Sequence, residues 1–76
     1  MLTTDDVKKL IEDGIPDATA EVADMTGTSD HFQVRVTASA FAGKSLMEQH
    51  KMVHSALREH LTTTIHAVDI KTSVPN

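Results

Sequence analysis

The sequence predicts an α+β domain in the order α-β-β-α-β, a three-stranded mixed sheet covered on one face by two helices. Three observations carry this. Two segments space apolar residues as helices do, between cap and stop signals. Phe32, Val34, Val36 and Ala38 alternate with polar residues, as in a sheet with one wet face. A helix, not a turn, separates the last two strand segments, which favours parallel pairing by a right-handed crossover. At 76 residues the chain makes one domain, 1–76, near the lower size limit for folding without disulfides or a structural metal.

Thr3 or Thr4 can cap the first helix, and Asp5 and Asp6 suit its positive end. Val7, Leu10 and Ile11 form its apolar stripe. Gly14 is expected to supply a left-handed cap, and Pro16 prevents continuation. Ala18 to Met25 reads as a strand with Ala18, Ala20 and Val22 on one face. The polar turn Thr26-Gly27-Thr28-Ser29-Asp30 joins it in a hairpin to the strand that carries Phe32 to Ala38.

Ala40 to Lys44, with Gly43, is a tight connector. Ser45 caps the second helix and Glu48, three residues on, completes a capping box. This helix is expected to run to about Leu61, with Leu46, His50, Val53, Leu57 and Leu61 in one arc. Thr62, Thr63 and Thr64 end it. Ile65 to Thr72 is the third strand, with His66, Val68 and Ile70 on one face and Ala67 and Asp69 on the other.

Composition narrows the function. Without cysteine the chain forms no disulfide and supplies no thiolate to a metal, which suits a reducing cytoplasm, the expected location. No apolar run reaches membrane-spanning length and no secretory signal opens the chain, so no membrane partner is expected. Seven basic against eleven acidic residues give a charge of −4. The basic residues are scattered, two phenylalanines are the only aromatics, and Gly14, Gly27 and Gly43 are too far apart for a Gly-x-x-Gly clamp. Nucleic-acid binding is disfavoured on all three counts. Asp5-Asp6 and Glu12-Asp13 lie at helix ends, where solvation and the helix dipole explain them, and no serine sits in a Gly-x-Ser-x-Gly turn. No enzyme is expected.

Five histidines leave metal chemistry open. On spacing alone, His66 is either a strand-entrance histidine bonded to backbone or a ligand. His31 precedes Phe32, so alternation points it to solvent, as a solvated edge residue or as a ligand. His50 and His54 are one helical turn apart, the spacing of a two-histidine zinc site, but Lys51 stands where a zinc protease needs glutamate. His50 fits better as a buried or half-buried packing residue, with His54 and His60 exposed or marginal. Met47 and Met52 suit the core margin or a partner surface.

The ordered set Asp30-His31-Phe32-Gln33-Val34, Phe41-Ala42-Gly43-Lys44-Ser45, Gln49-His50-Lys51-x-Val53 and Ile65-His66-Ala67-Val68 resembles the BolA-like family, from the first helix to Thr72. The resemblance implies a fold like class II KH domains. It also implies a role as partner of a monothiol glutaredoxin in iron–sulfur cluster handling, with His66 as cluster ligand. The family's second ligand, cysteine or histidine, usually comes from the loop between the first two strands. Residues 26–30 contain neither, which leaves His31 at the loop's edge. Gln49 and Lys51 replace the two arginines of the family's Arg-His-Arg element. Phe41 and Gly43 are expected to form the corner that launches the long helix and, with His50, Lys51 and Lys71, to frame the partner-binding surface.

The function expected from this resemblance is that of a non-enzymatic module sharing a [2Fe–2S] cluster with a glutaredoxin and glutathione. A KH-like DNA-binding regulator is the alternative, and a metal-free adaptor for a sulfur-transfer protein is a third reading. The free chain is expected to be a monomer or a weak dimer, because a small open sheet leaves its edges unpaired.

Overall fold

The computed structural model describes residues 3–25, 31–58, 60 and 67–75. Its elements follow the predicted order: α1 (Thr4–Gly14), β1 (Thr19–Asp24), β2 (His31–Thr37), a short 3-10 turn (Ser39–Phe41), α2 (Leu46–Leu57) and β3 (Ala67–Ser73). The sheet order is β1-β2-β3. β1 pairs antiparallel with β2, with Ala20 opposite Val36 and Val22 opposite Val34. β2 pairs parallel with β3, with His31 opposite Ala67 and Val34 opposite Ile70.

Both helix starts are built as their caps dictate. Thr3 accepts from the Asp6 N–H at 3.1 Å and donates its own N–H to Asp6 Oδ2 at 3.0 Å. Ser45 and Glu48 repeat the exchange at 3.2 and 3.1 Å. Each pair satisfies two N–H groups that a helix N-terminus otherwise leaves open.

The core lies between the helices and the inner sheet face. Val7, Ile11 and Ile15 from the first helix region meet Ala20, Phe32, Val34 and Val36 of the sheet and Val53 and Leu57 of α2, all essentially inaccessible. Alternation along β2 is therefore realised in full, and Ala38 beyond its end is buried too. Phe41 is also fully buried. It closes the corner after β2 with bonds from its N–H to Ala38 O at 3.2 Å and from the Lys44 N–H to Phe41 O at 3.0 Å. Gly43 follows with φ +78°, a conformation that favours glycine, and α2 starts three residues later at Leu46.

Several expectations need correction. Gly14 is not a left-handed cap. α1 ends on it, Ile15 is extended, and the left-handed residue of this connector is Asp17, φ +58°. What requires glycine at position 14 is proximity, since a Cβ built there would stand 2.9 Å from Ala56 Cβ on α2. Leu46 is 64 % exposed although it shares the arc of Val53 and Leu57. Helical period sets the direction of a side chain, not whether another element covers it. α2 ends at Leu57, short of Leu61, and the His60 N–H bonds Leu57 O at 2.9 Å in a tighter i→i−3 turn. β1 is one residue shorter at each end than expected, and β3 runs from Ala67 to Ser73. The predicted hairpin turn 26–30, Leu61, the threonine run 62–64, Ile65 and His66 lie outside the described residues.

Candidate functional site

Because β2 and β3 run parallel, their N-terminal ends lie together, and His31 opens β2 opposite Ala67. Phe32 points to the core, so His31 belongs to the outer, helix-free face with Gln33, Arg35, Asp69 and Lys71. It is half-buried there, not solvated. Its Nε2 is inaccessible and has no hydrogen-bond partner among the described residues. Asp69 Oδ2 stands 3.5 Å from that nitrogen, an ion-pair distance when the imidazole is protonated and too long for a good hydrogen bond. A buried polar atom without a partner carries a desolvation cost, so this nitrogen is a position where a ligand bond would be favourable.

The chemistry of the donors limits what can bind. A neutral imidazole nitrogen suits iron, zinc and copper, whereas a half-set of one imidazole and one carboxylate closes no site alone. Among the described residues no group of three or more histidine, aspartate or glutamate side chains is placed to hold a metal ion. His31 and Asp69 are thus an isolated pair of potential donors among the described residues. His66 lies outside the described residues; its neighbour in sequence, Ala67, is the residue paired with His31.

Of the predicted partner-binding residues, Phe41, Gly43 and His50 lie toward the other end of the sheet. Gln49, in the second turn of α2, donates Nε2 to Lys44 O at 2.9 Å and accepts a hydrogen bond from the Thr72 hydroxyl. Thr72 lies five residues along β3 from Ala67, roughly 16 Å at the usual strand rise. Gly43 is exposed beside this clamp, His50 is half-buried and Lys51 is exposed. Phe41 is internal, so it shapes this end through the corner it holds and not by surface contact. Lys71 is exposed on the outer face, with Arg35 as its register partner. The structure thus brings His31 to the β3 entrance and collects Phe41, Gly43 and His50 elsewhere.

Two residues have structural roles here that no sequence signal announces. Gln49 stands in the sequence only as a replaced arginine, yet it clamps β3 to the corner. Glu12 reads as helix-end solvation, yet its Oε2 accepts the Ala20 N–H at 3.0 Å. Asp69 could have been found from the pattern, because parallel pairing puts it on the face of His31.

Comparison with known proteins agrees with this architecture. A sequence model of the BolA-like protein family matches residues 10–76. The chain is 32% identical over 75 residues to RP812, an uncharacterised protein of Rickettsia prowazekii, with 97% of each chain aligned. It is 37% identical over 46 residues to the DNA-binding transcriptional regulator BolA of Escherichia coli K12, a match covering 60% of this chain and 44% of that protein. The structure of a BolA homologue from Coxiella burnetii superposes with a TM-score of 0.85 at 32% identity, over 99% of this chain and 94% of that one. No helix among the described residues is long and apolar enough to cross a membrane.

Proposed function

The chain belongs to the BolA-like family, and from that premise we propose that it is a non-enzymatic partner of a monothiol glutaredoxin with which it co-ligates a [2Fe–2S] cluster, in cluster trafficking or iron and redox regulation. His66 is the principal ligand and His31 the second candidate from this chain. The glutaredoxin cysteine and a glutathione thiolate supply the donors that a chain without cysteine lacks. The observation that carries the reading is the His31 Nε2, buried and without a hydrogen-bond partner among the described residues, at the sheet end where β3 begins. Chain connectivity adds to it. Ala67, the register partner of His31, is the residue that follows His66 in the sequence.

When bound, such a cluster would supply one-electron redox chemistry, at a potential raised by imidazole in place of thiolate. The chain's own part is to present neutral imidazole nitrogen, to hold Asp69 beside His31 and to keep the β3 entrance in register. The test is to mix the full chain with reconstituted glutathione-bound glutaredoxin and record visible absorption and circular dichroism. The His66→Ala variant must change the cluster spectrum; His31→Ala decides the second ligand.

A second reading has one observation in its favour, the E. coli relative named as a DNA-binding transcriptional regulator. Arg35 and Lys71 stand side by side on the open sheet face, beside a groove of about 210 Å³ that Gln33 and Glu21 also line. The acidic charge and the lack of a glycine clamp weigh against it. DNA binding that weakens steeply with salt would favour this reading over the first.

A further inference from the structure

The two edges of the sheet are finished differently. On β1, the N–H of Ala20 is taken by Glu12 Oε2 at 3.0 Å, an acidic side chain from α1 laid over that edge. Among the described residues no side chain does the same for β3. Ser73 O accepts the Ala38 N–H at 3.1 Å, so the backbone groups of Ser73 face β2. Strand alternation turns those of Lys71 and Asp69 the same way and leaves those of Val68, Ile70 and Thr72 facing outward. Among the described residues β3 therefore ends the sheet as an edge strand of seven residues, unpaired on its outer side and with no proline inside it.

We propose that this edge pairs antiparallel with β3 of a second copy of the chain, about a two-fold axis at Ile70. In that register Ile70 meets the partner's Ile70, Val68 meets the partner's Thr72, and the whole strand is used. The outward N–H and C=O groups then find partners on both sides. Asp69 falls opposite the partner's Lys71, and Lys71 opposite the partner's Asp69, in the closely spaced non-hydrogen-bonded positions where side chains interact most. Moving the axis to a neighbouring residue destroys this. Centred on Asp69 it sets two carboxylates face to face, and centred on Lys71 two ammonium groups.

Charge within one copy points the same way. The register partner of Lys71 on β2 is Arg35, a cation beside a cation, which is a destabilising cross-strand pair. Arg35 has Glu21 on its other side, so a counter-charge for Lys71 arrives best from beyond the edge. A lone mid-strand lysine ordinarily blocks edge pairing. Asp69 two residues earlier converts that block into selectivity for an antiparallel copy. On the opposite face Val68 and Ile70 are half-buried against the core and would continue it into a six-stranded sheet.

The test is sedimentation of the full chain from about 10 μM to about 1 mM, the range in which a small symmetric interface associates. Wild type shifts from monomer to dimer with concentration. Lys71→Asp sets a second carboxylate against the partner's Asp69 and raises the dissociation constant about tenfold or more; Asp69→Lys does the same by setting two ammonium groups together. The double variant Asp69→Lys/Lys71→Asp restores association. Amide exchange on wild type gives a readout that needs no variant, with protection at Val68, Ile70 and Thr72 rising with concentration. A monomer across the whole range, single variants that associate like wild type, or a double variant no better than the singles overturns the proposal. His66→Ala is expected to dimerise normally, so this result stands or falls separately from the cluster reading.

Discussion

Replacing Gly14 with alanine sets two effects against each other. Gly14 is the last residue of α1, and alanine in a helix is favoured over glycine by about 0.8–1 kcal/mol in an interior position, less at an end. Against this, the new Cβ would lie 2.9 Å from Ala56 Cβ and 3.4 Å from Ala56 Cα. Carbon atoms pack at about 3.5–4.0 Å, so α1 and α2 must separate by several tenths of an ångström. Neither obstructing atom can swing aside, because both sit at or next to the backbone. Overpacking of this kind costs about 1–3 kcal/mol. Steric cost outweighs propensity, and the expected net loss is about 1–2 kcal/mol, or about 4–15 °C in Tm for a domain of this size. Urea unfolding followed by far-ultraviolet circular dichroism measures it. Ala56→Gly alone costs about 1 kcal/mol in propensity. In the Gly14→Ala background it also removes the collision, so the double variant is non-additive by about 1 kcal/mol or more. A Gly14→Ala protein at least as stable as wild type, or strict additivity in the double variant, refutes the close-approach explanation.

Four further outcomes follow from the packing and the caps. Thr3→Ala and Ser45→Ala each lower stability by about 1 kcal/mol in urea unfolding. The N–H of Thr3, and then its hydroxyl, hold the Asp6 carboxyl below its ordinary value, and Ser45 does the same for Glu48. Their contribution is complete above the ordinary carboxylate range and is lost as pH falls through the depressed values. Helical dichroism therefore falls on acidification, and falls less in the Asp6→Asn/Glu48→Gln variant. Gln49→Leu loses both bonds of the clamp and costs about 1–2 kcal/mol; Thr72→Val adds little on top, because the two share one interaction. Phe41→Ala removes a fully buried ring and costs about 3–5 kcal/mol, measured by equilibrium unfolding.

The parts of the fold legible in the sequence were those that repeat or that pair locally. Phe32, Val34, Val36 and Ala38 declare a half-buried strand by alternation, and all four are buried. Ser45 and Glu48 declare a helix start because the capping exchange spans three residues. Gly14 shows the limit. A glycine needed for close approach and a glycine needed for positive φ look alike in sequence, and the neighbour that decides, Ala56, is 42 positions away. Leu46 shows another, since it shares the arc of the buried Val53 and Leu57 and is nonetheless exposed. Glu12 and Gln49 bond backbone and side chains 8 and 23 residues distant, contacts that carry no local pattern. At the candidate site, the face of His31 was legible from Phe32, whereas its half-burial and its neighbour Asp69 depend on the parallel register with β3. The role proposed for His66 rests on family resemblance, because one histidine before a strand has no periodicity to read.

The central claim is that this chain supplies imidazole to a cluster shared with a glutaredoxin. Its most direct test is a visible circular dichroism titration of the full chain into cluster-loaded, glutathione-bound monothiol glutaredoxin, wild type against His66→Ala. The account predicts a new dichroic spectrum that saturates at a fixed stoichiometry with wild type and is changed or lost with His66→Ala. Identical spectra for the two proteins, or no spectral change with wild type, would contradict it.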